Sequence, residues 1–391
     1  MSKVLLESRW DETKEALLEG LKGTRRSTMQ VILENTRKQL LSESSAGTTT
    51  AGNIATLNRV ILPVIRRVMP TVIANELVGV QPMTGPVGQI HTLRVRYSDT
   101  VAANGSIDGT TAGEEALSPF KIAEQYSGAN TGRAASTAAL EGVAGNRLSI
   151  QILKQTVEAK TRKLSARWTF EAAQDAQAQQ GIDIEAEIMA ALAQEITAEI
   201  DQEILASLKT LAGTANREAY NQATVSGTAT FVGDEHAALA VQINRVANVI
   251  AQRTRRGAGN WAVVSPLALT ILQSATTSAF ARTTEGTFEA PTNTKFVGTL
   301  NNAMKIYVNT YATDDTVLIG YKGSSESDAA AFYCPYIPLM SSGVVLDPAT
   351  FEPVVSFMTR YGYVELSNTA SSLGNAADYL GTVTIANAVF S

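Results

Sequence analysis

The chain contains few of the side chains that most often carry chemistry. Its 391 residues include one cysteine, Cys334, and two histidines, His91 and His236. A single cysteine cannot form an internal disulfide, and a zinc site needs three or four convergent ligands. The spacing of these three residues matches no ligand motif, so the sequence predicts neither a disulfide framework nor a metal centre of the His/Cys kind.

Several sequence motifs of enzymes are also missing. There is no phosphate loop of the GxxxxGK[ST] type, and residues 257–260 lack the third glycine of a dinucleotide fingerprint. Ser265 precedes Pro266, which indicates a helix N-cap rather than a nucleophile elbow. Acidic pairs such as Asp314 and Asp315 are typical of solvated loops. We therefore expect no cofactor and no enzymatic activity.

Charge and hydrophobicity exclude further classes of protein. The net charge of −5 argues against a protein that wraps nucleic acid, which would have a strong basic excess. No stretch approaches 18 uncharged apolar residues, so no membrane span is predicted. The first twenty residues are charged and lack an apolar region, so secretion is not indicated. The length predicts two domains, or one large irregular domain.

The clearest predicted element is a helix over 183–211. Isoleucine or leucine occupies every fourth position, and no glycine or proline occurs before Gly213. The repeat consists of Ile184, Ile188, Leu192, Ile196, Ile200, Ile204 and Leu208. At 1.5 Å per residue the helix is roughly 43 Å long. Because a four-residue repeat drifts against 3.6 residues per turn, its apolar stripe winds around the axis and contacts different partners along its length.

Two segments have too few apolar residues to form a core of their own. Residues 1–45 predict two short amphipathic helices, and a Ser/Thr/Gly-rich linker follows; this arm needs another surface, which could be a neighbouring subunit. Residues 99–146 are rich in small residues and lie between the extended segments 88–98 and 148–170. This pattern predicts a long projecting β-hairpin, and such a hairpin usually rests on another chain because it is marginal alone.

Charge is segregated in the middle of the chain. Residues 171–203 hold nine acidic residues and no lysine or arginine, whereas residues 147–167 hold six basic residues and one acid. Two interpretations stay open: both are solvated faces, or the basic strands dock on acidic helix faces within or between subunits. Single exposed ion pairs contribute only about 0–1 kcal/mol, so docking would need several pairs.

The remaining chain predicts a mixed α/β domain. Short helical and extended patterns alternate between residues 214 and 340, and two further extended stretches follow. The predicted helices are 234–253 and 266–273, and the predicted strands are 261–265, 304–309, 316–321, 329–333, 351–366 and 383–390. Such alternation is typical of a packed domain.

One segment carries a family resemblance. Residues 66–89 (RRVMPTVIANELVGVQPMTGPVGQ) resemble the signature of major capsid proteins from T-even-like, contractile-tailed phages. Further blocks in chain order resemble the same family; they are 172–183, 256–260, 320–323 with 333–336, and 359–362. The resemblance therefore covers about residues 66–362.

The resemblance implies an α+β fold of the Hong Kong 97 capsid type, with an N-terminal arm, an extended hairpin (E-loop), a peripheral domain with a long spine helix, and an axial domain. The implied boundaries are 1–58 for the arm, 59–87 for entry to the peripheral domain, 88–168 for the E-loop hairpin, 169–214 for the peripheral domain with the spine helix, 215–340 for the axial domain, and 341–391 for the return to the peripheral domain.

The implied function is that of a major head protein. Copies would self-assemble, as hexamers and pentamers, into the icosahedral shell that encloses the double-stranded DNA of a tailed phage, with assembly in the host bacterial cytoplasm. Other partners would be a separate vertex protein, a portal and decoration proteins, with only non-specific DNA contacts and no membrane. The expected subunit-interface residues are Arg66, Arg67, Arg94, Arg96, Arg162, Lys163, Arg167, Glu185 and Glu187. An acidic spine helix facing the interior would keep the shell from holding DNA tightly.

The sequence departs from the T-even pattern in two respects. Those relatives carry an inserted domain in the hairpin, for which residues 99–146 are too few and too poor in apolar side chains. They also lose an N-terminal propeptide, whereas we expect this arm to remain as a permanent clamp. The alternatives are an encapsulin-like shell that encloses cargo protein, a cofactor-free enzyme, and a scaffold or adaptor protein.

Overall fold

A computed structural model provides the structure of the chain. It describes residues 10, 14–15, 18, 21, 23, 26–35, 73–103, 109–114, 116, 126–128, 136–142, 144–180, 183–213, 216–225, 232–254, 256–275, 280–282, 295–301, 303–326, 328–350, 352–366 and 376–388. These residues mix helix and sheet, as the predicted α+β class requires.

The described elements divide between two compact units. The first unit takes the described residues within Met1–Gly88, Val157–Leu205 and Phe332–Val364, and the second those within Gln89–Thr156, Ala206–Ala331 and Glu365–Ser391. The helices are α1 (Ala74–Leu77), α2 (Thr137–Leu140), α3 (Phe170–Gln180), α4 (Ile184–Ala212), α5 (Val232–Thr254) and α6 (Pro266–Ser274). The strands are β1 (Gly79–Val80), β2 (Val87–Tyr97), β3 (Leu148–Glu158), β4 (Lys160–Arg167), β5 (Arg217–Asn221), β6 (Trp261–Val264), β7 (Phe280–Arg282), β8 (Lys295–Leu300), β9 (Met304–Val308), β10 (Thr316–Gly320), β11 (Ala331–Ser341), β12 (Val345–Leu346), β13 (Pro353–Glu365) and β14 (Leu380–Ala386).

Helix α4 confirms the strongest prediction from the sequence. It runs over 29 residues, from Ile184 to Ala212. Its apolar repeat is buried at Leu192, Ile196, Ile200, Ile204 and Leu208. Gly213 follows with φ +52°, the left-handed conformation that glycine adopts readily at a helix end.

The sheet of the first unit has the order β1-β11-β13-β12, and β4 also pairs with β13. The β4–β13 ladder is antiparallel and extends from Arg167 opposite Val354 to Lys160 opposite Tyr361. Burial alternates along β13 from Pro353 to Arg360, so one face of this strand packs in the core and the other is partly solvated.

The second unit contains a seven-stranded sheet with the order β5-β14-β10-β6-β9-β8-β7. Helices α5 and α6 cover it, and the shared core includes Leu239, Ile243, Ile271, Ile306 and Val317. Helix α6 begins as the sequence predicts. The Ser265 hydroxyl accepts a hydrogen bond from the Ala268 N–H at 3.2 Å, and Pro266 occupies the first helical position.

Strands β2 and β3 form a separate two-stranded ribbon within the range predicted for the hairpin. The structure differs from the predicted hairpin range of 88–168 at its C-terminal end. There, β4 pairs with β13 in the sheet of the first unit, because its alternating side chains match the half-buried face of β13. Phe170, expected in an extended segment, begins helix α3 instead.

The C-terminal boundaries also differ from the predicted ranges. Strand β14 pairs with β10 and β5 in the seven-stranded sheet, rather than returning to the sheet of the first unit. Its first four residues are fully buried, as expected for a strand with a neighbour on each side. Strand β11 continues to Ser341 past two prolines, because the carbonyl of Pro335 still accepts a hydrogen bond from the Met83 N–H.

Described residues of the N-terminal arm pack within the same chain, and a contact of the arm with a neighbouring subunit stays a prediction. The buried apolar side chains are Trp10, Leu18, Met29, Ile32 and Leu33. The Asn35 amide donates hydrogen bonds to the carbonyl oxygens of Met83, at 2.7 Å, and Tyr336, at 3.3 Å. The helical stretch 26–35 therefore covers part of the first unit's own core.

Candidate functional site

The predicted interface residues separate into several groups. Arg66 and Arg67 lie outside the described residues. Arg94 and Arg96 lie on β2, where the side chain of Arg96 is partly buried. Lys163 and Arg167 are exposed on β4, and the Nε atom of Arg167 lies 3.8 Å from a carboxylate oxygen of Glu352. These described basic residues thus lie on two different strands, β2 and β4.

Arg162, also on β4, holds this strand against helix α4. Its guanidinium donates to the carboxylate of Glu199 at 2.8 Å and also to that of Glu203. Its Nε–H donates to the Tyr361 hydroxyl at 2.7 Å, and that hydroxyl donates onward to Glu203. One arginine thus joins β4, α4 and β13 through a connected network of hydrogen bonds.

The electrostatics of this network favour the charged forms of Arg162 and Glu203. Partial burial opposes the charge on Arg162, but the hydrogen bonds to Glu203 and Tyr361 raise the pKa of its guanidinium. Burial likewise works against ionised Glu203, yet the hydrogen bonds from Tyr361 and Arg162 lower the pKa of that carboxyl. Burial raises the pKa of Tyr361, so its hydroxyl stays protonated as a donor. Arg162 and Glu203 are therefore both charged at neutral pH, whereas the Tyr361 hydroxyl is neutral.

This pairing of a basic strand with an acidic helix face matches one of the two interpretations of the segregated charge. The contact lies within a single chain, and it uses Glu199 and Glu203 rather than Glu185 and Glu187. Those two lie in the first turn of α4, where acidic side chains complement the positive end of the helix dipole. The four-residue spacing of Glu199 and Glu203 was a usable signal in the sequence.

A buried carboxyl lies on the same helix and was not found from the sequence. Asp201 is 1% exposed, and its Oδ1 accepts a hydrogen bond from the backbone N–H of Ile73 at 2.9 Å. Burial raises the pKa of Asp201 to about 7, although the Ile73 hydrogen bond acts in the opposite direction. Asp201 therefore ties the segment before α1 to the middle of helix α4.

The hairpin carries an exposed apolar surface, which we call the β3 stripe: Leu148, Ile150 and Ile152. Their side chains are 55%, 68% and 66% exposed. They alternate along the strand, so all three lie on one face of the ribbon. Ribbons of two strands are marginal in water, and an apolar edge or face of this kind promotes association.

Two of the residues considered above for a metal centre or a disulfide, His236 and Cys334, are buried. His236 lies in α5, 1% exposed, with its Nδ1 atom 2.6 Å from the Ser274 hydroxyl. Cys334 is buried in β11, and burial raises the pKa of its thiol to about 12. Among the described residues no group of three His, Cys, Asp or Glu side chains could hold a metal ion. Within the same part of the chain, no helix is long and apolar enough to cross a membrane.

A comparison with models of protein families identifies the family of this chain. A family model described as "Major capsid protein Gp23" matches residues 54–385. The chain belongs to the Gp23 major capsid protein family. This family confirms two expectations that rested on residues 66–89: the α+β capsid fold class of the Hong Kong 97 type, and the function as a major capsid protein of tailed phages. The encapsulin alternative is not favoured.

Relatives of known function agree with the family. The chain is 30% identical to the "Major capsid protein" of Vibrio phage KVP40, over 84% of this chain and 80% of that protein. It is also 30% identical to the "Major capsid protein" of Enterobacteria phage T4, over 80% of this chain and 76% of that one. Solved structures with similarity include a protein of Mycobacterium phage Bobi (13% identity, TM-score 0.48, 81% and 90% of the two chains) and the capsid of Myoviridae phage XM1 (9% identity, TM-score 0.43, 81% and 92%).

Proposed function

We propose that copies of this capsid protein join through the β3 stripe, which packs on a neighbouring copy in an icosahedral shell around double-stranded DNA. The observation that carries the proposal is the exposure of three apolar side chains, Leu148, Ile150 and Ile152, at alternate positions of a two-stranded ribbon. Burying a leucine or isoleucine side chain contributes about 1.5–3 kcal/mol, so covering all three supplies a large share of a subunit contact. A second copy is the partner that a shell protein meets at the highest concentration.

The proposal also assigns the remaining parts of the chain. The hairpin corresponds to the E-loop, the first unit to the peripheral domain, and the rest of the second unit to the axial domain. The described arm residues brace the peripheral domain of their own chain. Copies form hexamers and pentamers, and a vertex protein, a portal and decoration proteins are further partners. Assembly takes place in the host bacterial cytoplasm, and the protein performs no enzymatic reaction.

Contacts with packaged DNA are non-specific in this proposal. Exposed acidic side chains on α3 and α4 support it, because a lining of carboxylates repels phosphate and prevents tight binding. Glu171, Asp175, Glu187 and Glu195 are all exposed in the described chain. The DNA can then be packed and released without being held by the shell.

The test replaces one residue of the β3 stripe by a polar residue that still favours strands. Ile150→Thr keeps a β-branched side chain and removes apolar area. We expect shell assembly, followed by sedimentation and electron microscopy, to need a several-fold higher protein concentration. The matched control is Val241→Thr, which changes a 64% exposed apolar side chain on α5. Assembly of Ile150→Thr at the wild-type concentration would contradict the proposal.

A further inference from the structure

The closed end of the hairpin contains a compact cluster that the sequence did not predict. Residues 99–146 have few large apolar side chains, yet Val101, Ala116 and Tyr126 are buried there. We infer that Tyr126 is a positioning residue that fixes the pairing register of β2 and β3, and thereby presents the β3 stripe on a single face. This inference rests on the docking mode proposed above and adds the residue that makes the docking face specific.

The phenol hydroxyl of Tyr126 joins the ends of the two strands. It donates a hydrogen bond to the carbonyl oxygen of Arg147, the residue before β3. It accepts hydrogen bonds from the backbone N–H groups of Ser98 and Asp99, both at 3.2 Å, just after the end of β2. A hydroxyl has one donor and two acceptor positions, and all three are used here.

Further contacts hold the phenol in place. The ring of Tyr126 packs against the ring of Tyr97, with centroids 4.4 Å apart. The Asn146 amide donates to the Tyr126 carbonyl oxygen at 2.7 Å. The Asp99 carboxylate accepts from the Arg147 N–H at 2.7 Å, and this hydrogen bond lowers the pKa of Asp99, so the acceptor is charged at neutral pH.

The same end of β2 is also bonded along its other edge. The N–H of Tyr97 donates to the Glu114 carbonyl, and the Tyr97 carbonyl accepts from the N–H of Gly113. The N–H of Ala116 donates to the carbonyl of Val95 at 2.8 Å. Strand β2 is therefore held between Arg147 on one side and residues 113–116 on the other, with Tyr126 across the end.

This arrangement matters because the register of a ribbon decides which face its side chains occupy. A slip of one residue moves every side chain of a strand to the opposite face, and ribbons with two solvated faces specify register weakly. Such a slip of β3 would move Leu148, Ile150 and Ile152 to the other face of the ribbon. The polar side chains of Ser149 and Gln151 would then face the neighbouring copy. The hydrogen bonds of Tyr126 at the closed end prevent this change of register.

The test removes the hydroxyl of Tyr126 and keeps the ring. In Tyr126→Phe the packing on Tyr97 remains, whereas the three hydrogen bonds of the hydroxyl are lost. We expect amide hydrogen exchange in β2 and β3 to become about tenfold faster, and the concentration needed for assembly to rise about tenfold, as for the loss of one or two net hydrogen bonds. The melting temperature of the rest of the chain should not change.

Two variants make the outcome decisive. Tyr220→Phe is the control, because it removes a phenol hydroxyl that donates to the Glu235 carbonyl at 3.1 Å and that belongs to β5 rather than to the hairpin. If Tyr126→Phe and Tyr220→Phe had equal effects on hydrogen exchange in β2 and β3 and on the concentration needed for assembly, the inference would be overturned. If Tyr126→Phe assembles normally while Ile150→Thr does not, the register lock is refuted and the docking mode stands. If Ile150→Thr also assembles normally, the docking mode itself fails.

Discussion

The buried carboxyl of Asp201 gives a quantitative prediction about stability and pH. In the unfolded chain an aspartate has a pKa near 3.8, whereas burial raises the pKa of Asp201 to about 7 in the folded chain. A difference of about three pKa units corresponds to about 4 kcal/mol at about 1.4 kcal/mol per unit, and relaxation of the site makes this an upper figure.

The sign follows from which state binds the proton. Between about pH 4 and 7 the folded chain keeps a proton on Asp201 that the unfolded chain has released. The stabilising effect of this protonated carboxyl is therefore fully present below about pH 4 and is lost as the pH rises towards 7. Asp201→Asn has no charge to bury, and its side-chain oxygen can still accept from the Ile73 N–H.

We therefore expect Asp201→Asn to match the wild type near pH 4 and to be more stable by up to about 4 kcal/mol at pH 8. The assay is urea unfolding of unassembled chain across this pH range, with the difference between the two proteins as the measured quantity. Asp175→Asn on the exposed helix α3 is the control and should show no such trend. A difference that does not change with pH, or a less stable Asn variant at pH 8, would refute the reasoning.

Two further predictions concern charged residues. Arg162→Met should lower the free energy of unfolding by about 1–2 kcal/mol, because Glu199, Glu203 and Tyr361 lose a shared donor. Lys163→Met on the same strand is the control and should have little effect. Urea unfolding measures the stability of both variants, and equal losses would argue against the network. The double variant Glu187→Lys with Glu195→Lys should still fold and assemble but should reduce the DNA content of filled particles. The ratio of absorbance at 260 and 280 nm measures this content. A normal DNA content would contradict the role of the acidic surface.

The two separate sheets show where prediction from the sequence reached its limit. The hairpin, the long helix and the capped start of α6 depend on local features: period-two apolar positions, a four-residue repeat, and serine followed by proline. The elements that these pair with or pack against do not depend on such local features. Strand β14 resembles any apolar strand, and only the tertiary structure inserts it between β5 and β10. Strands β5, β7 and β8 were missed because their short segments carry little periodicity.

The assembly surface divides in the same way. Alternation in the sequence by itself determined that Leu148, Ile150 and Ile152 share a face, and residues 66–89 determined the family. Only the tertiary structure decided that Arg162 meets Glu203, that Asp201 is buried, and that Tyr126 closes the hairpin, since each contact joins residues more than 20 positions apart. Local periodicity encodes which elements form, whereas the partner of a polar side chain depends on how distant segments pack, which no local pattern records.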